Sequence, residues 1–120
     1  MLAKASSKPK SKPEPLTVTA TYRVPAAAEK AFVKLLKAHW PTLRRLKLVG
    51  PAKPVILRAA EKAGPVYIEI FDWASMAAVD AAHHAPEVAA IWDGMGRLCR
   101  PRAGKPPMEF PHFDRVVFGR

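Results

Sequence analysis

The sequence predicts an α+β fold, an antiparallel sheet with helices on one face, built in the order β-α-β-β-α-β. Three observations predict it. An alternating run at 17–24 leads into a long helical pattern with one apolar side. Two apolar runs flank Ala63-Gly64-Pro65, which reads as a hairpin. A broken second helical pattern then leads to a closing strand that begins at Met108.

With 120 residues, 49% apolar and 25% charged, the chain fits one globular domain. Residues 1–15 are mainly Lys, Pro, Ser and Ala, too poor in apolar side chains to join a core. They are expected to be a disordered tail, leaving 16–120 as a single domain. The tail lacks the apolar centre of a secretory signal. No apolar run reaches the roughly 20 residues that span a bilayer. Cys99 stands alone, so no internal disulfide forms, and a cytoplasmic location is expected. Asn and Gln are absent, which excludes any mechanism needing a side-chain amide.

In strand one, Val18, Ala20, Tyr22 and Val24 take one side and Thr17, Thr19, Thr21 and Arg23 the other. Pro25 then opens a helix at about 26–47, where a missing N–H costs little. Phe32, Leu35, Leu36, His39, Leu43 and Leu46 share one side of it, with Trp40 flanking. Lys30, Lys34, Lys37, Arg44 and Arg45 take the other. Pro41 deprives the Lys37 carbonyl of its helical partner and is expected to kink or split the helix.

Strand two is placed at 54–61 through Val55, Ile56 and Leu57. In strand three Val66, Ile68 and Ile70 face one way, and Tyr67, Glu69, Phe71 and Trp73 the other. Ser75 can cap a helix running to about His84. Pro86 restarts it with Val88, Ile91, Trp92, Met95 and Leu98 on one stripe, weakened by Gly94 and Gly96. The last strand is placed at 108–118. This is the ferredoxin-like order. Apolar residues on both strand sides, with helices for only one, predict a homodimer that buries Val66, Ile68 and Ile70 between two sheets.

Glu69 is the leading chemical candidate. A carboxylate among aromatic residues in a dry space is suited to proton abstraction unless a histidine or arginine holds it ionised. The alternative is a structural pair with Arg58, His39 or His112. His39, inside an apolar stripe, is either a pocket base or a core histidine bonded to a carbonyl or carboxylate. His83 falls with Met76 and Val79 and is expected to point inward, whereas His84, one turn beyond Asp80, reads as surface. Glu109 and His112 alternate with Phe110 and Phe113 and could reach the pocket or a dimer seam.

No metal-ligand spacing occurs, and neither a GxGxxG nor a P-loop pattern, so no metal and no cofactor is expected. Cys99 sits in an apolar stripe and reads as core. The net charge of +10 is spread over the tail, loops and one helix face. The aromatic residues do not interleave with the lysines, which argues against a nucleic-acid platform.

From about Thr17 to Val117 the chain resembles the antibiotic biosynthesis monooxygenase-like family of the dimeric α/β-barrel superfamily. The resemblance rests on the element order, on Y-I-E-I-F-D-W-A-S followed by an alanine-rich helix with His83, and on M-E-F-P-H-F. It implies a pocket between sheet and helices in each subunit and a barrel formed by two sheets. Some members oxygenate aromatic polyketides without metal or flavin, using a strand-three Trp and an Asn. Trp73 matches that Trp, and Glu69 occupies the Asn position. Haem-degrading relatives pair a strand-three Trp with a His ten residues on, as Trp73 and His83 are spaced, and also use a first-strand Asn that this chain lacks.

The leading expectation is a homodimeric pocket protein, a cofactor-independent oxygenase or isomerase acting on an aromatic or enolisable molecule. Glu69, His39 or His83 would act in catalysis, and Trp73, Tyr67, Trp40 and Trp92 would shape the cavity. The alternative is a non-catalytic binder or sensor, for example of haem with His83 as axial ligand. A structure showing whether Glu69, His39 and His83 converge on one open cavity separates these readings.

Overall fold

The computed structural model describes residues 16–119; the tail expected at 1–15 lies outside them. Strand β1 (Thr17–Arg23) is followed by a 3-10 turn (Ala26–Ala28) and helix α1 (Glu29–Arg45). Strands β2 (Val55–Ala59) and β3 (Val66–Asp72) form the hairpin. Helices α2 (Met76–His83) and α3 (Pro86–Leu98) precede two short strands, β4 (Met108–Glu109) and β5 (His112–Phe113). The sheet order is β2-β3-β1-β4, with β5 also on β1, and every pairing is antiparallel. This is the ferredoxin-like fold.

The hairpin turn depends on Gly64. Its φ is +138°, and a Cβ there would sit 2.1 Å from the Val24 carbonyl oxygen. Ser75 caps α2, its Oγ accepting from the Ala78 N–H at 3.0 Å. Helix α3 runs unbroken through Gly94, where a Cβ would crowd Leu35 of α1. The small residue there lets the two helices approach closely.

Three expectations are corrected. Helix α1 continues through Pro41 instead of splitting. Pro41 and Lys37 both lie on its exposed side, where water can satisfy the freed carbonyl. The last strand is two short pieces interrupted at Phe110-Pro111, because proline has no N–H for the ladder. Residues 114–119 join no ladder, leaving Val116, Val117 and Phe118 exposed. On α2 the buried residues are Ala78 and Ala82, while His83 is exposed. The small alanine face packs on the core and turns His83 to its margin.

Between the helices and the sheet lie two apolar clusters. One gathers Leu43, Val49, Phe71, Trp73, Ala82 and Val88, and the other Tyr22, Phe32, Leu36, Tyr67, Ile91 and Met95. Each fully buried large side chain contributes roughly 1.5–3 kcal/mol. Trp92 packs against both clusters. The opposite sheet face carries Thr19, Thr21, Ile68 and Ile70, only half-buried, beside exposed Val55 and Leu57.

Candidate functional site

β1 and β3 pair so that Ala20 stands opposite Glu69 and Tyr22 opposite Tyr67. The small Ala20 leaves room above the sheet, and His39 of α1 descends into it. Glu69 is 0% exposed and His39 3%. Burial of this kind requires partners. The Tyr22 hydroxyl donates to Glu69 Oε1 at 2.8 Å. His39 Nδ1 lies 2.9 Å from Oε1 and 3.2 Å from Oε2. On its other side, the Trp92 indole N–H donates to His39 Nε2 at 2.9 Å.

That last bond fixes the state of the ring. An indole N–H can only donate, so Nε2 must be an unprotonated acceptor. The ring proton therefore sits on Nδ1 and points at Glu69. A second proton on Nε2 would set two donors against each other. Glu69 accepts from two sides, as an ionised carboxylate does. Burial pushes the Tyr22 hydroxyl well above its ordinary value, and the negative charge and hydrogen bond of Glu69 add to that. Tyr22 is thus held as a donor.

His39 and Trp92 also line a cavity of about 160 Å³. Its walls are chiefly apolar, with Val18, Ala20 and Phe71 from the sheet and Val79 and Met95 from the helices. Tyr22, Trp73, Met108 and Phe110 complete the aromatic and sulfur lining, and His83 and His112 also reach it. Glu69 itself does not line the cavity; it stands behind His39 and Tyr22. The arrangement presents one imidazole, backed by a buried carboxylate, to a largely aromatic space. Such a carboxylate orients the ring and stabilises the imidazolium that forms if Nε2 takes a proton.

The structure thus brings Glu69, His39, Trp92, Trp73, His83 and His112 to one region and separates the rest. Tyr67 lies away from the cavity, its hydroxyl donating to Glu29 Oε2 at 2.6 Å, where Arg58 also binds. Trp40 packs against the Leu43 cluster and does not line the cavity. Glu109 pairs with Arg23 at the sheet edge. His83 is exposed at the rim, its ring centre 5.1 Å from that of Trp92. Burial pushes the Cys99 thiol up to about 11, which keeps it from acting as a thiolate. Among the described residues no three His, Cys, Asp or Glu side chains cluster as metal ligands would.

Tyr22 was not foreseen as a site residue. Its signal was a polar hydroxyl on the buried side of β1, which requires a partner. Phe110 and Met108 were equally legible as apolar but not as cavity wall, since that depends on where the interrupted last strand turns.

No family model matches the chain. No curated protein matches it either. Solved structures do. One, an antibiotic biosynthesis monooxygenase, superposes with TM-score 0.67 at 16% identity, over 85% of this chain and 99% of that one. SnoaB, a cofactor-independent oxygenase from Streptomyces nogalater, gives TM-score 0.60 at 19% identity, over 86% and 94%. A dimeric ferredoxin-like protein of unknown function from Jannaschia sp. CCS1 gives 0.59 at 12% identity, over 83% and 99%. At these identities the likeness is one of fold. The chain has the ferredoxin-like fold of the antibiotic biosynthesis monooxygenase structures.

Proposed function

We propose that this protein is a homodimeric, cofactor-independent oxygenase acting on a small aromatic or enolisable molecule held in the His39 cavity. The observation that carries this reading is the chain Trp92–His39–Glu69–Tyr22, which ends at the wall of an apolar cavity. Cavities that only bind apolar ligands have no need of a carboxylate buried behind the wall. The fold shared with SnoaB supports the choice of reaction.

A substrate hydroxyl or enolisable C–H that takes the place of the Trp92 N–H meets the lone pair of Nε2. Its proton moves to Nε2, and Glu69 stabilises the resulting imidazolium through Nδ1–H. The enolate left behind carries electron density on carbon. That carbon transfers electrons to O2 and forms a C–O bond, and the peroxide takes back the proton. Loss of water leaves a carbonyl, so one O2 converts a CH2 into C=O plus water. The substrate is the reductant. Glu69 does not touch the substrate and is a positioning residue.

Dimerisation is supported by the half-buried Val66, Ile68 and Ile70 and by the exposed Val116, Val117 and Phe118, which a second copy would cover.

Oxygen uptake with an anthrone as substrate tests the reading. The wild-type chain should consume O2 above the buffer rate, one equivalent per anthraquinone formed. His39→Ala should lower kcat by roughly a hundredfold or more, the usual worth of a positioned base. Uptake no faster than in buffer, or a His39→Ala variant of unchanged kcat, overturns it.

A further inference from the structure

The hydrogen bond between Trp92 and His39 stands in the way of the base. The His39 ring has one lone pair to offer, at Nε2, and the Trp92 indole N–H occupies it at 2.9 Å. In the chain of four, Tyr22, Glu69 and His39 are almost fully buried, and Trp92 alone is only partly so. Packing holds its indole on α3 without help from the bond. The ring meets both apolar clusters and lies edge-on to His83 at the exposed rim, with ring centres 5.1 Å apart. The bond therefore acts mainly on His39. The cavity wall is chiefly apolar, and an unpaired imidazole nitrogen facing it would be a buried acceptor without a donor.

We propose that Trp92 is a latch on the base: its N–H holds the Nε2 lone pair in the free protein and yields it only to a molecule that brings its own hydrogen-bond donor. This rests on the reading of His39 as the base, and it adds how that base is guarded and what releases it. For a ligand with a hydroxyl, one donor replaces another at Nε2, and the only bond lost is that of the indole. A ligand without a donor fills the apolar space but leaves the latch closed and the base idle. Selection thus falls on the donor group before any proton moves. The apparent affinity for a donor ligand is reduced by the fraction of the protein in which the latch is open. A neutral hydrogen bond of this kind amounts to about two- to tenfold in an equilibrium. Trp92 acts on the reaction through His39 and is a positioning residue.

Phenol and toluene, alike in size and unlike in donor, are the probes, titrated into the full chain labelled with nitrogen-15. In the free wild type a scalar coupling should run across the bond from Trp92 Nε1 to His39 Nε2. Saturating toluene should leave that coupling in place, and saturating phenol should abolish it. Trp92→Phe keeps a ring but has no N–H. Its preference for phenol over toluene, measured by calorimetry, should exceed that of the wild type by about two- to tenfold. The ratio removes any loss of ring packing common to both probes, so a merely structural Trp92 would leave it unchanged. No coupling in the free protein, a coupling that survives phenol up to its solubility limit, or an unchanged ratio in folded Trp92→Phe overturns the latch. The coupling is read in the wild type and decides the matter where the variant fails to fold. Neither measurement involves turnover. A chain that consumes no O2 with an anthrone but loses the coupling to phenol retains the latch and loses the oxygenase reading, and the opposite pair of results does the reverse.

Discussion

Replacing Glu69 with alanine should destabilise the domain by about 3–5 kcal/mol, because two buried donors lose their acceptor together. The Tyr22 hydroxyl and the His39 Nδ1–H both point at this carboxylate, and both residues are almost fully buried. Each orphaned donor costs roughly 1–3 kcal/mol, and the space left by the side chain adds to that. Urea unfolding followed by tryptophan fluorescence measures the loss. Glu69→Gln provides the control. Its amide oxygen in the place of Oε1 still accepts from both donors, and only the longer contact of His39 Nδ1 to Oε2 meets an NH2, so a smaller loss of about 1 kcal/mol is expected. A loss below about 1 kcal/mol for the alanine variant would mean the network carries little of the stability.

The second large effect concerns assembly. Ile68→Asp should convert a dimer at micromolar concentration into a monomer. Ile68 lies between Thr21 of β1 and Leu57 of β2 on the sheet face that the helices leave uncovered. In one chain it is half-buried, so a carboxylate there stays hydrated. Pressed between two sheets it would be an unpaired buried charge, costing several kcal/mol at each copy. Sedimentation should give the dimer mass for the wild type and the monomer mass for the variant. A wild-type monomer, or a variant that remains dimeric, contradicts the sheet-to-sheet arrangement.

Much of the fold was legible in the residues. The alternation around Tyr22, the stripe through Phe32, Leu36 and Leu43, and the turn at Gly64 each follow from a local period or a local steric demand. The meeting of His39 with Glu69 was legible too, since one lies mid-stripe on the helix and the other mid-strand on the side that the helix must cover. Where the sequence misled, the cause was tertiary. Pro41 counts as a breaker until it is placed, with Lys37, on the exposed side of the helix. His83 falls on the stripe of Met76 and Val79, but a helix of small residues can pack through its alanine face instead. The place of Tyr67 outside the cavity follows from Glu29, whose carboxylate draws the hydroxyl to the far end of the sheet. The role of Tyr22 required knowing that Ala20, its neighbour on the same strand face, leaves room for a histidine beside the carboxylate. No period in the sequence encodes that.

Proton abstraction at this site turns on the state of one imidazole, and nitrogen-15 NMR of histidine-labelled protein near neutral pH reads it directly. The signals of His39 should show a protonated, pyrrole-type Nδ1 and an unprotonated, pyridine-type Nε2. Addition of an anthrone in the absence of oxygen should move the Nε2 signal as the ligand replaces the Trp92 N–H. A proton on Nε2, a doubly protonated ring in the free protein, or an Nε2 signal indifferent to ligand would contradict a base poised at the cavity wall.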